Sequence, residues 1–113
     1  MFKKLIFERH SWPAKCDKIV VTPNNADMLI KRTLCKAEKT DSITVAVPAK
    51  EFLEKFDAID VMAWDNDYFA PVLDGESWSL KYYTTDGNKK VVTGSNAYPE
   101  EYDALFDLLF IDD

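Results

Sequence analysis

The sequence predicts an α+β protein in which an antiparallel sheet of about five to six strands carries two α-helices on one face. The first observation behind this prediction is that residues 74–111 read as strand, tight turn, strand and capped helix. The second is that β-branched runs recur before residue 48 and a helical pattern follows over 48–57. With 113 residues, 47% apolar and 13% aromatic, the chain is large enough for a buried core, and we expect residues 1–113 to form a single domain.

The first strands are indicated by β-branched and alternating residues. Phe2–Glu8 and Lys18–Thr22 both favour strands, and Ser42–Val47 favours another. Met28–Leu34 fits a helix or a strand, because its apolar residues follow neither period cleanly. We prefer a strand that forms a hairpin with Lys18–Thr22, because turn residues separate the two segments.

The middle of the chain predicts one helix and an irregular segment. The helix covers about residues 48–57, with Pro48 in or near its first turn. Its apolar positions are Phe52, Leu53, Phe56 and Ile59. Asp60–Trp64 then reads as a short strand or a helix end, and Asp65–Pro71 as an ordered loop rich in aromatic residues.

The C-terminal hairpin has the clearest strand pattern. Trp78, Leu80 and Tyr82 alternate with polar residues, which is the period of two expected when one face of a strand is buried. Asp86-Gly87 supplies the positive φ that a tight hairpin turn requires.

The second helix is predicted over about residues 99–110. Pro99 suits the first helical position, where its missing N–H costs nothing, and acids favour the positive end of the helix dipole. An apolar stripe follows at helical spacing, made of Tyr102, Leu105, Phe106 and Leu109.

The net charge of −6 is divided unevenly along the chain. Residues 1–56 contain eleven Lys or Arg and seven acids, whereas residues 57–113 contain three Lys and thirteen acids. The acidic half disfavours nucleic acid as a direct ligand, because phosphates need cations. It is typical of a soluble surface with some internal charge complementarity, and it also suits a protein partner with a basic surface.

The sequence predicts no membrane segment. It lacks a run of about 18 apolar residues. Lys3 and Lys4 also stand too early for the apolar segment of a signal peptide. We therefore expect a cytoplasmic protein.

Cys16 and Cys35 would lie almost opposite each other if the predicted hairpin forms. A cross-strand disulfide would then fit the geometry, but the cytosolic redox state favours two free thiols, and we predict proximity without a bond. His10, the single histidine, has no acid–base partner at a suggestive spacing. One histidine and two cysteines do not complete a zinc site without a carboxylate, so we predict no cofactor.

Part of the C-terminal pattern resembles a known family. The pattern is Asp74-Gly75-x-x-Trp78-x-Leu80, followed by Gly94-x-Asn96-x-Tyr98-Pro99 and a leucine-rich helix. It is similar to a pattern in small bacterial proteins without assigned chemistry, many of them from Gram-positive genomes. The resemblance covers about the last 40 residues, with a weaker likeness at Trp64 and Tyr68. It implies a cytoplasmic bacterial or phage accessory protein.

Acidic residues crowd the stretch from residue 57 to residue 76. They are Asp57, Asp60, Asp65, Asp67, Asp74 and Glu76. Such a cluster suits a divalent cation or an acid–base pair. The stretch lacks the glycine and the closing glutamate of a calcium loop, so we predict no metal site. Trp64, Tyr68 and Phe69 are interleaved with the acids, and aromatic anchors ringed by charge are typical of interface hot spots.

The sequence contains no recognisable catalytic signature. Its three glycines lie far apart, which excludes a phosphate-cradling loop, and neither Gly-x-Ser-x-Gly nor His-Glu-x-x-His occurs. We therefore predict a non-enzymatic protein that binds another protein, in the manner of a toxin-immunity protein or a phage-encoded inhibitor that competes for a basic nucleic-acid site. The predicted contact residues are Asp57, Asp60, Trp64, Asp65, Asp67, Tyr68, Phe69, Asp74 and Glu76.

Two other interpretations remain open at this point. One is a small enzyme that uses the carboxylate cluster, which requires at least two of these acids to converge in a concave pocket. The other is a homo-oligomeric protein, for example a homodimer in which the basic N-terminal half of one copy meets the acidic half of another.

Overall fold

The computed structural model describes residues 1–11, 15–36, 39–71 and 75–109. Within them the chain is α+β, with a mixed, mostly antiparallel sheet of seven strands and two α-helices. The strands are β1 (Phe2–Ser11), β2 (Lys15–Asn24), β3 (Asp27–Lys36), β4 (Lys39–Pro48), β5 (Asp67–Phe69), β6 (Glu76–Thr84) and β7 (Lys89–Ser95). The helices are α1 (Ala49–Ile59) and α2 (Tyr102–Leu109), and a 3-10 helix, Val61–Ala63, follows α1.

The strand order across the sheet is β4-β3-β2-β1-β6-β7-β5. The first strand therefore lies in the middle, antiparallel to β2 on one side and to β6 on the other. β5 pairs with β7 in parallel, unlike the other pairings described. The prediction of five to six antiparallel strands is corrected by β5, which occupies part of the predicted aromatic loop. Three residues are too few to show an alternation in the sequence.

One face of the sheet and both helices share a single core. The side chains buried in it come from alternate strand positions and from the inner sides of the helices. Its largest fully buried members are Phe7, Phe52, Leu5, Ile19, Met28, Leu80, Leu105, Leu109, Val21 and Val92. Because side chains alternate along a strand, the residues between them point to the opposite face, which we call the open face. It includes Lys4, Lys18, Lys31, Lys81 and Lys89.

The predicted elements differ from the observed ones mainly at their ends. The ambiguous segment Met28–Leu34 belongs to β3, which forms the expected hairpin with β2. The second helix begins at Tyr102 and not at Pro99. The Tyr102 N–H donates to the Pro99 carbonyl at 3.1 Å, and this turn precedes the helix. Pro99 therefore lies in a turn that precedes the helix, and not at the first helical position.

The prediction of free thiols is wrong. Cys16 is disulfide-bonded, and it lies directly opposite Cys35, the only other cysteine, in the pairing of β2 with β3. The adjacency followed from the hairpin, whereas the bond depends on redox conditions that a sequence does not state.

Two glycines permit close approaches in the C-terminal unit. A Cβ on Gly94 would lie 2.0 Å from Trp78 Nε1, so the indole occupies the space that a side chain in β7 would need. A Cβ on Gly75 would lie 1.7 Å from Asn96 Oδ1. The indole N–H donates to the carbonyl of Ala97 at 3.0 Å. The spacing of glycine, tryptophan and asparagine in this segment is thus a packing requirement.

Candidate functional site

The acidic surface begins where α1 ends. Asp60 adopts a left-handed conformation, with φ 54° and ψ 56°, and its N–H donates to the carbonyl of Asp57 at 3.2 Å. Aspartate tolerates this region better than most residues, because its short side chain bonds locally. The left-handed conformation of Asp60 ends α1 and directs the chain into the 3-10 helix. Both Asp57 and Asp60 are exposed.

Two aromatic side chains fix the loop that follows. Trp64 is 6% exposed and packs edge-on against Trp78, with ring centroids 6.3 Å apart, and its carbonyl accepts a hydrogen bond from Lys90 Nζ. Tyr68 is half-buried and stacks on Trp78 at 6.1 Å, while its hydroxyl accepts a hydrogen bond from the Asp65 N–H at 3.1 Å. Trp64 is therefore a core residue that supports the surface, and it is not an exposed anchor.

An open cavity of about 320 Å³ lies between this loop and the start of α2. Four carboxylates line it, from Asp60, Asp65, Glu100 and Glu101. The other lining residues are Ile59, Ala63, Trp64, Tyr68 and Pro99. We call this cavity the acidic hollow. It combines a negative rim with an apolar and aromatic floor.

A second open cavity, of about 430 Å³, runs between α1 and α2. We call it the apolar groove. Its lining residues are Lys55, Ala58, Ile59, Glu101, Ala104, Asp107 and Leu108. Ile59 and Glu101 line both cavities, so the acidic hollow and the apolar groove adjoin.

Charges are segregated between the two sides of the sheet. On the helical side, α1, α2 and the residues next to them carry Glu51, Glu54, Asp57, Asp60, Asp65, Glu100, Glu101, Asp103 and Asp107, with Lys50 and Lys55 as their cations. The strands add Arg9, Arg32 and Lys90 to the same side. Ion pairs in the described part of the chain involve Arg9 with Asp17, Arg9 with Glu76, and His10 with Glu8. None of the four carboxylates of the acidic hollow is therefore neutralised by a described cation. The acidic half seen in the sequence becomes an acidic layer of helices.

Other predicted contact residues lie outside the acidic hollow. Asp67 accepts a hydrogen bond from Thr93 Oγ1 at 3.0 Å. Because Tyr68 points into the core, its neighbours Asp67 and Phe69 point to the open face. Phe69 is 69% exposed there. Asp74 lies outside the described residues.

Glu76 belongs to a different cavity, of about 440 Å³, on the Arg9 side of α2. Its carboxylate accepts hydrogen bonds from Ser11 Oγ at 3.1 Å and from Tyr98 Oη at 3.0 Å, and Arg9 Nε lies 3.8 Å away. Arg9 also donates to buried Asp17. Glu76 is therefore held in a local network and does not join the other predicted acids.

Two tyrosines beside this network have raised pKa values. Burial raises the pKa of the Tyr98 phenol, and the hydrogen bond to Glu76 raises it further. Burial raises the pKa of Tyr102 strongly, and the negative charge of Glu76 adds to the effect. The Tyr102 hydroxyl is buried without a hydrogen-bond partner among the described residues. Both phenols are held in their neutral form far above neutral pH.

The sequence prediction missed Glu100, Glu101 and Asp107. In the sequence, Glu100 and Glu101 read as acids at the start of a helix, where they offset the helix dipole, and Asp107 carries no signal of its own. Only the packing of α2 against α1 reveals that they also border the acidic hollow and the apolar groove. A helical projection of α2 alone would have placed Ala104, Asp107 and Leu108 near one another.

In the described ranges, no group of three His, Cys, Asp or Glu side chains is arranged to hold a metal ion. None of the helices described is long and apolar enough to cross a membrane. Comparison of the chain with protein-family models, with curated proteins and with solved structures gives no match.

Proposed function

We propose that this chain is a non-enzymatic protein that binds a basic segment of another protein through the acidic hollow and the adjoining apolar groove. The observation that supports this function is the adjacency of four carboxylates, unpaired with any described cation, to an apolar channel between two helices. A toxin-immunity protein or a phage-encoded inhibitor that covers a basic nucleic-acid site would act in this way.

The two cavities favour a partner with mixed chemistry. Lysine or arginine side chains suit the rim formed by Asp60, Asp65 and Glu100, because an ammonium or guanidinium group pairs with carboxylates. Aliphatic side chains suit Ala58, Ala104 and Leu108 in the apolar groove. An amphipathic helix with basic residues beside its apolar stripe presents both, and helices commonly dock in such grooves.

The charge distribution also favours this partner. The acidic helical layer attracts a basic surface from a distance and speeds association at low salt, while the lysines of the open face repel it. The partner is thereby oriented toward the helices. We expect the affinity to fall as the ionic strength rises, since salt screens exposed charges.

Capture from a lysate of the source cell, followed by affinity measurements with the purified partner, tests this proposal. The test variant is Asp65→Lys/Glu101→Lys. The matched control is Asp27→Lys/Glu51→Lys, which makes the same change in net charge at the other end of α1, where the Ala49 N–H bonds to Ala26. We expect the test variant to lose at least about tenfold in affinity and the control to lose much less. Equal losses in both variants would contradict the assignment of this surface.

The alternative function, a small enzyme, has one observation in its favour. Asp60 and Asp65 line the same concave cavity, which is the arrangement that a carboxylate acid–base pair requires. The Asp60→Asn/Asp65→Asn variant separates the two functions when the captured protein is used as both ligand and test substrate. An enzyme would lose turnover of that protein while still binding it, whereas a binding protein would show weaker binding and no turnover in either form.

The disulfide of Cys16 affects the expected location. Structural disulfides persist mainly in oxidising compartments. The bond therefore counts against the cytoplasmic location that the N-terminal sequence favours. The proposed contact with a basic partner can form in the cytoplasm or in an oxidising compartment.

A further inference from the structure

β4 forms one edge of the sheet and has an unpaired outer side. It is ten residues long and pairs with β3 over its whole length without a register shift. Within the described residues, no other strand bonds to it. Its outward N–H and C=O groups are therefore available to a further strand.

The middle of this edge offers little protection against strand pairing, because the charges and the proline of β4, which are Lys39, Asp41 and Pro48, stand toward its two ends. Proteins usually shield an edge with charged residues, proline, a bulge or a very short strand. The run Ser42–Val47 contains no charge and no proline, and most of its residues are β-branched. The opposite edge, β5, has three residues and carries Asp67. One edge is thus protected, while the other is long and regular.

Apolar surface accompanies the unpaired backbone. Ile43 is 56% exposed although it lies on the side of the sheet that faces the helices. It borders a shallow depression together with Ile30, Arg32, Val45, Val47 and Leu109. A strand added along β4 would cover Ile43 and extend the core laterally.

We propose that β4 is the dimer interface of this protein, where a second copy pairs antiparallel with β4 about a two-fold axis at Thr44. In that register Ile43 faces Val45 of the other copy, and Ser42 faces Ala46. Directly opposite residues of an antiparallel pair share a face, so apolar side chains meet on the helical side and small ones on the open face.

The self-complementarity of the run selects a second copy over an unrelated strand. Over Ser42–Ala46 the pairing brings no like charges together, and it matches the pleat of both copies without a bulge. A two-fold contact uses the same edge on both molecules, so assembly stops at two. The interface is separate from the acidic hollow, and it differs from a dimer held by opposite charges.

Sedimentation of the full chain over about 1–200 µM tests the proposal. We expect a dimer whose dissociation constant changes little in about 0.5 M salt, because the pairing is uncharged. The test variant is Thr44→Glu, since within one copy residue 44 faces Lys31 and the glutamate is accommodated. Across the two-fold axis, however, the glutamate at position 44 of one copy faces the glutamate at position 44 of the other. These like charges repel, so we expect at least about tenfold weaker dimerisation.

The control is Ser77→Glu, at an exposed position on the open face of an interior strand, and it should leave the dimer unchanged. A mixture of the single variants Ser42→Cys and Ala46→Cys should form a mixed disulfide dimer faster than either variant alone. A monomer throughout the concentration range would overturn the proposal. A dimer that dissociates in salt and whose dissociation constant is unchanged by Thr44→Glu would also overturn the proposal. That result would favour association through opposite charges.

Discussion

Gly75 and Asn96 approach each other so closely that a Cβ on Gly75 would lie 1.7 Å from Asn96 Oδ1. The same oxygen accepts a hydrogen bond from the Glu76 N–H at 2.8 Å, and the Asn96 N–H donates to the Glu76 carbonyl at 2.9 Å. Asn96 has φ 56°, a conformation that asparagine tolerates well. The pair therefore ties the start of β6 to the end of β7.

Replacing Gly75 tests this contact. We expect Gly75→Ala to lower the free energy of unfolding by about 2 kcal/mol, because the new methyl group displaces the Asn96 side chain and its hydrogen bond. In an Asn96→Gly background, which keeps the positive φ, the same change should cost less than about 0.5 kcal/mol. Urea unfolding of the four proteins measures the coupling. Equal costs in both backgrounds would mean that the two residues act independently.

Gly94 is expected to be the most sensitive glycine. Gly94→Ala places a methyl group 2.0 Å from Trp78 Nε1 and should destabilise the protein by about 3 kcal/mol through overpacking. The control is Gly87→Ala, whose Cβ would meet nothing within 4 Å and whose cost comes from φ 91°, about 1 kcal/mol. A Trp78→Phe background should reduce the cost of Gly94→Ala, because the indole nitrogen is gone. If that background makes no difference, the tryptophan is not the obstacle.

Ionisation of Tyr102 is predicted to lower the free energy of unfolding at alkaline pH. Its pKa is higher in the folded chain than in the unfolded chain, mainly because of burial. Its contribution to stability is therefore fully present below the unfolded pKa, about 10, and is lost as the pH rises toward the folded pKa. Tyr102→Phe should lose less stability than the wild type as the pH rises above about 10, measured by urea unfolding at a series of pH values.

The neutral-pH behaviour of Tyr102→Phe provides a second measurement. Because the hydroxyl is buried without a described partner, its removal should be neutral or stabilise by up to about 1 kcal/mol at pH 7. Tyr83→Phe serves as the control, since Tyr83 is half-exposed on the open face. A loss of more than about 1 kcal/mol from Tyr102→Phe at pH 7 would show that the hydroxyl has a binding partner in solution.

Sequence periodicity predicted the elements whose burial is regular. Trp78, Leu80 and Tyr82 are all buried, as their alternation indicated. In α1, Phe52, Phe56 and Ile59 are buried as predicted. The short β5 escaped prediction because its pairing with β7 depends on a partner 26 residues away, at Thr93, and not on a local pattern.

The candidate surface was predictable only in part. Asp60 and Asp65 are predicted from the density of acids in the sequence, and both line one cavity. Their neighbours Glu100 and Glu101 are not predicted, because the contact between α1 and α2 joins segments about 40 residues apart in the chain, a non-local arrangement. The sequence does not distinguish a buried Trp64 from a surface anchor, because an aromatic residue among acids has the same local pattern whether it points inward or outward.

The central place of β1 has a consequence for biosynthesis. One of its neighbours, β2, follows at once along the chain, but the other, β6, begins only at Glu76. A ribosome therefore delivers β1 through α1 well before the strand that completes the middle of the sheet. Until then the nascent chain exposes the edge of β1 that pairs with β6 and part of the apolar face that α2 later covers, and such surfaces are prone to premature association. Folding of this protein is expected to finish only after its last third has been made.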